Sequence, residues 1–190
     1  MKRRMLAGEP YLASDPVIVA DHERCAALTE RYNATSVIEP AVRAALLQEI
    51  LGGMGEDTVI RPPLHVDYGY QTTIGSRCFV NYGAVILDVG RVAIGDDVQI
   101  GPNVQMLTAT HPLEAAPRRA GWEGQEPIAI GDGVWLGGGV IVCPGVTIGE
   151  NAVVGAGAVV TRDIPPGVLA VGTPARVVRE LPADAQQQPD

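Results

Sequence analysis

Aromatic side chains are scarce in this sequence of 190 residues: there is a single phenylalanine, and Phe, Trp and Tyr together make up 4%. Val, Ile, Ala and Gly supply the apolar content instead, which suits stacked strands better than a helical bundle. Lysine is almost missing as well, Lys2 being the only one, and the net charge is -8. That balance disfavours nucleic-acid binding through the phosphate backbone. No apolar run approaches the roughly 20 residues that cross a bilayer. The basic start Met1-Lys2-Arg3-Arg4 is not followed by an apolar stretch with a small-residue cleavage site, so no signal peptide is expected. Cys25, Cys78 and Cys143 are odd in number and contain no CxxC. They point to reduced thiols in the cytoplasm rather than to a disulfide framework.

What the chain does have is a repeat. From residue 130 it falls into six-residue words: Ile130-Gly131-Asp132-Gly133-Val134-Trp135, then LGGGVI, VCPGVT, IGENAV, VGAGAV and VTRDIP. The first letter is always Ile, Leu or Val, and the fifth is usually Val or Ala. An earlier block, IGSRCF and VNYGAV at 74–85 and IGDDVQ and IGPNVQ at 94–105, has the same rhythm, with one spacing of eight between its halves. Period six fits neither a helix nor a simple alternating strand. It describes a short strand and a turn, with one large aliphatic pointing inward per word and Gly, Asn and Asp forming the turns. Three such faces make a coil, and stacked coils make a mainly β fold, a parallel β-helix of hexapeptide repeats.

The flanks read differently. Residues 21–32 (DHERCAALTERY) and 40–51 (PAVRAALLQEIL) carry Ala, Leu and charges at helical intervals. They predict an N-terminal helical segment over 1–60 that caps the open end of a β-helix over 61–181. A short helix or extended arm (PARVVREL) follows the last words, and the Gln- and Pro-rich tail 182–190 is expected to be disordered.

Residues 107–127 (LTATHPLEAAPRRAGWEGQEP) interrupt the words. An insertion of this size in a repeat protein forms a protruding loop, and functional residues favour such loops on rigid scaffolds. It contains His111; His22 and His65 are read as a helix-surface residue and a packed or solvent-facing residue.

The segments MLAGEPY (5–11), ERYNAT (30–35), DYGYQTTIG (67–75), FVNYGAVILDV (79–89), TATHPLEAAPR (108–118), EGQEPIAIGDGVWLGGGVIVCPGVTIG (123–149), GAGAVVTRDIP (155–165) and GTPARVVRE (172–180) resemble the maltose and galactoside O-acetyltransferases, closest to the maltose type. The resemblance covers nearly the whole chain. It implies a left-handed parallel β-helix, acetyl-CoA as co-substrate, a sugar acceptor and a homotrimer with active sites between subunits. It implies His111 as the general base for the acceptor hydroxyl, work for which an imidazole titrating near neutrality is suited. Asn81 matches the family asparagine that binds the acceptor or the developing oxyanion.

The resemblance further assigns Asp15, Asp67, Asn81 and Glu123 to the acceptor. Trp135, Gly138, Ala156, Gly157, Thr161, Arg162, Arg176 and Arg179 fall where the family meets coenzyme A; Arg176 and Arg179 would reach the nucleotide phosphates. Gly137, Gly138 and Gly139 offer close approach of backbone amides to the pantetheine arm or the oxyanion. Ala13, Val89 and Glu123 depart from the galactoside pattern and speak against a galactoside acceptor. No metal is expected. The zinc carbonic anhydrases of related fold need three histidine ligands, a set that this chain's three scattered histidines do not offer. Direct attack is simpler than an acyl enzyme on Cys143. The readings left beside a maltose- or glucose-type acceptor are another hydroxyl acceptor (galactoside, lipo-oligosaccharide or antibiotic) and a non-catalytic β-helix used for assembly.

Overall fold

The computed structural model describes residues 1–182, so the tail expectation falls, Pro182 apart, outside the described residues. The words become a prism of three parallel sheets. Five strands from Gly53–Met54 to Thr147–Ile148 form the first face, and strands from Val59–Ile60 to Val168–Val171 form the second. Five strands from Leu64–Val66 to Val159–Val160 form the third. The chain visits the faces in that order, once per coil.

The first letters of the six words, Ile130, Leu136, Val142, Ile148, Val154 and Val160, are all buried, as are Val134, Val140, Val146, Ala152 and Ala158 at the fifth. Register keeps them in columns: Leu136 pairs with Ile100 below and Val154 above. Each coil therefore places its aliphatics on those of the next, and this column is the core.

Small residues at the edges are required by how closely coils stack. A Cβ on Gly137 would lie 2.5 Å from the Ala156 nitrogen, and one on Gly101 2.5 Å from the Gly138 nitrogen. Real Cβ contacts of that length essentially never occur, so a side chain at these positions would force the stacked backbones to shift.

The coil begins at Gly53, earlier than the boundary at residue 60 drawn from the sequence. Helix α3 (Pro40–Ile50) stops there, and the Gly52 amide already bonds to the carbonyls of Gly69 and Thr72. Helix α1 (Lys2–Leu6) precedes α2 (Pro16–Asn33), which starts five residues before the periodic stretch. Asp15 is the reason: its Oδ1 accepts from the Val17 amide at 3.1 Å and Pro16 supplies the first-turn φ. Helices α2 and α3 lie against the first coil. Asn33 donates to the Leu64 carbonyl and accepts from its amide, both at 2.8 Å, and Tyr32 Oη donates to the Ile60 carbonyl at 2.5 Å. Those bonds satisfy polar groups of the terminal coil that would otherwise present an open edge.

At the other end, Arg176–Glu180 is a strand antiparallel to Val168–Val171, which resolves the choice between helix and arm in favour of the arm. Among the described residues, no helix is long and apolar enough to cross a membrane.

Candidate active site

Across the edge between third and first face, inward residues are six apart high in the prism (Val142 to Ile148), but eight apart from Val66 to Ile74 and from Ile86 to Ile94, and 24 apart from Met106 to Ile130, so the edge is enlarged in the lower coils, at 67–71, 88–91 and 108–127. The spacing of eight seen in the sequence is the second of these. Together with α2 and the segment before it, the enlarged edge encloses a cavity of about 320 Å³. Ala13, Ile18, Val19, His22, Asp67, Tyr68, Val89, Ala109, His111 and Glu123 line it.

The insertion is itself built of regular structure. Ala109–Thr110 pairs antiparallel with Trp122–Gln125, which pairs on its other side with Tyr11–Leu12. Helix α4 (Ala115–Arg119) joins the hairpin, and Arg118 Nη1 donates to the carbonyls of Pro112 and Leu113 at 2.8 and 2.9 Å. These bonds brace the chain directly after His111, whose ring is exposed at the cavity. Thr108 anchors the root: its hydroxyl donates to the Leu87 carbonyl and accepts from the Gly90 amide.

Below it, the buried Asp88 carboxylate accepts from the Tyr68 amide at 2.8 Å, the Gly69 amide at 3.1 Å and the Thr72 hydroxyl at 3.0 Å. It fixes the turn that carries Asp67 and Tyr68. Burial raises its pKa to about 6 in spite of those three donors. Burial also raises Asp67, opposed by His22 and reinforced by Glu123. The phenols of Tyr11 and Tyr68 are pushed well above their ordinary value by burial and by neighbouring carboxylates, so both remain protonated donors.

Chemically the site offers an imidazole at a mouth, two carboxylates, a second imidazole and an apolar wall. Although two histidines and two carboxylates line it, no three such groups come together among the described residues in a way that could hold a metal ion.

Residues 4–55 match the family model described as the maltose acetyltransferase hexapeptide capping motif, and residues 127–162 that of the bacterial transferase hexapeptide with six repeats. Nodulation protein L of Rhizobium meliloti (strain 1021) is 52% identical over 176 residues, 93% of this chain and 96% of that protein. The chain belongs to the hexapeptide-repeat acetyltransferase family. A maltose O-acetyltransferase structure from Clostridium difficile 630 is similar with a TM-score of 0.94 at 44% identity, covering 96% of this chain and 97% of that one. A hexapeptide-repeat-containing acetyltransferase from Vibrio cholerae O1 biovar eltor, complexed with acetyl coenzyme A, has a TM-score of 0.89 at 39% identity, covering 95% and 98%.

As a member of this acetyltransferase family, the chain distributes its expected site residues unevenly. His111, Asp67 and Glu123 share the cavity, and so do Ala13 and Val89, the other positions that depart from the galactoside pattern. Asp15 is not among the lining residues. Its Oδ1 caps α2, and its Oδ2 lies 3.6 Å from the N-terminal ammonium.

Asn81, Gly138, Ala156 and Gly157 stand along another edge, that between second and third face. Backbone bonds run up that edge, from the Asn81 amide to the Ile100 carbonyl and from the Gly157 amide to the Gly138 carbonyl. Asn81 Oδ1 accepts from the Tyr82 amide at 2.9 Å, and the residue does not line the His111 cavity. Trp135 begins a strand of the second face, paired between Gln99 and Val153 and 55% exposed. Thr161 and Arg162 sit exposed on the cavity's own edge, two coils further up, while Arg176 and Arg179 are exposed on the terminal arm.

Burial raises the thiol pKa of the half-buried Cys143, which opposes the thiolate that an acyl enzyme would need. His22, expected on the helix surface, is exposed and also lines the cavity, its Nε2 3.9 Å from Asp67 Oδ1. The one available signal was helical spacing, since Ile18 and His22 are four apart and share a face.

Proposed function

We propose that the protein transfers the acetyl group of acetyl-CoA to a hydroxyl of a glucose- or maltose-type sugar, by direct attack in a ternary complex. The observation that carries this reading is the cavity itself: His111, Asp67 and Glu123 line one space of about 320 Å³, large enough for a sugar ring. His111 takes the proton of the acceptor hydroxyl as its oxygen attacks the thioester carbonyl. The C–S bond then breaks, and the coenzyme A thiolate leaves and recovers a proton from the imidazolium. Asp67 and Glu123 hold the sugar by accepting from its other hydroxyls. Ala13 and Val89, small and apolar on the cavity wall, support a maltose-type rather than a galactoside-type fit.

Cofactor contacts are assigned to Trp135, Gly138, Ala156, Gly157, Thr161, Arg162, Arg176 and Arg179. Several of these stand on a different edge of the prism from His111, as does Asn81. A homotrimer reconciles the two: the edge of one copy that carries Asn81 and Gly138 lies against the His111 edge of the next, and the cofactor runs between them. Asn81 then reaches the acceptor or the oxyanion from the neighbouring copy. Three free cysteines and an acetyl-CoA co-substrate suit the cytoplasm.

The test follows thiol release from acetyl-CoA with glucose, maltose, galactosides and antibiotics as acceptors, beside a His111→Ala control. Acceptor-dependent release that falls about 100-fold or more in the variant supports the base. Release that is unchanged in the variant refutes it.

A further inference from the structure

The capping helix α2 does more than close the prism: it supplies Ile18, Val19 and His22 to the wall of the cavity that His111 occupies. His22 is placed there with some care. Its ring stands edge-on to Tyr68, with centroids 6.3 Å apart and planes at 75°, so that Nε2 points towards Asp67 Oδ1. Their separation, 3.9 Å, is too long for a direct hydrogen bond. An oxygen atom lying about 2.8 Å from each would fit the gap. A hydroxyl is the group that such a gap accommodates, because it can donate to the carboxylate and accept from the imidazole N–H at once. Asp67 is held in position by the Asp88-anchored turn, and His22 by a helix capped at Asp15, so the pair is pre-organised.

We infer that His22 is an acceptor-specificity residue, forming with Asp67 a two-point clamp for a second hydroxyl of the polyhydroxy acceptor whose first hydroxyl reacts at His111. This rests on the reading of the cavity as the acceptor site. The clamp selects acceptors with two hydroxyls at a fixed separation and rejects those lacking the second, because the paired polar groups would then be left without a partner. Helix α2 thereby contributes to the choice of substrate.

The experiment is steady-state kinetics by thiol release, with saturating acetyl-CoA and with glucose, maltose and the monodeoxy glucoses as acceptors. The enzymes are wild type, His22→Ala, His22→Gln and His111→Ala. His22→Ala should raise the KM for the sugar about 10-fold, with the KM for acetyl-CoA unchanged and kcat within about threefold, the size expected for one lost hydrogen bond to substrate. His22→Gln, which keeps an N–H donor, should recover part of that loss. One monodeoxy glucose should bind poorly to wild type and be insensitive to His22→Ala. An unchanged sugar KM in His22→Ala, with activity still abolished by His111→Ala, overturns the clamp and leaves the active-site reading standing. Equal rises in both KM values, with a lowered Tm, show a merely structural role and overturn it too. Undiminished turnover in His111→Ala overturns the active-site reading itself.

Discussion

Tyr11 and Glu123 face each other across two antiparallel strands, and the Tyr11 hydroxyl donates to Glu123 Oε2 at 2.5 Å. The phenol is completely buried, whereas the carboxylate opens into the cavity. The N-terminal strand thus orients a carboxylate of the inserted hairpin. Tyr11→Phe removes the donor without changing the packing. It should cost about 1.5 kcal/mol, as for a hydrogen bond to a charged group, and raise the acceptor KM several-fold with acetyl-CoA unaffected. Urea unfolding and acceptor titration measure the two effects separately.

Asp88 makes stability depend on pH. Its folded pKa of about 6 lies above the ordinary 3.8, so the folded state binds the proton more tightly than the unfolded chain does. The resulting contribution is fully present below pH ~4 and is lost as pH rises to ~6, a difference of about 3 kcal/mol. Asp88→Asn keeps an acceptor oxygen for the Tyr68 and Gly69 amides but cannot titrate. Its unfolding free energy should therefore lack this fall between pH 4 and 6. Denaturant titrations of both proteins across that window, compared by difference, provide the check.

Gly137 tests the stacking of the coils. A methyl group there would lie 2.5 Å from the Ala156 nitrogen and 2.9 Å from its Cα, both backbone atoms that cannot swing aside. Gly137→Ala should destabilise by about 1–3 kcal/mol through overpacking. Gly139→Ala, where nothing lies within 4 Å, is the matched control; it bears only the strain of a positive φ of 71°. A larger loss of urea midpoint at Gly139 than at Gly137 would contradict the stacking argument.

How much of this could be read from residues alone follows from what each position answers to. Leu136, Val142 and Ile148 report the period because one inward side chain per word meets the same environment in every coil. The enlarged edge was visible only as irregularity: a spacing of eight at Asp88–Val89 and an insertion at 107–127. Nothing in the sequence says that those two irregularities, together with residues 67–71, fall on the same edge of the prism. That is a consequence of the number of faces. The place of His22 on the cavity wall was hidden for the same reason. Helical spacing shows that it shares a face with Ile18, but which solenoid edge that face covers is decided by Tyr32, Leu46 and Ile50 packing on the terminal coil. Asp15 is the opposite case, since a carboxylate just before a proline is a legible helix cap.

The separation of His111 from Asn81 leads to a mixing experiment. If a working site combines His111 of one copy with Asn81 of the next, His111→Ala and Asn81→Ala are each inactive as homotrimers. Co-expressed in equal amounts they form mixed trimers, three quarters of the total by random assembly. Every mixed trimer in a closed ring contains one junction at which an intact His111 meets an intact Asn81, so about a quarter of all sites regain both residues. Thiol release with the acceptor should return to about a quarter of the wild-type rate on mixing during expression, and should stay at the residual level when the two purified variants are combined without exchange. Were both residues contributed by the same chain, no mixture would contain an intact pair. Activity would then remain at the level of the single variants, and the shared site would be excluded whatever the oligomeric state measured by light scattering.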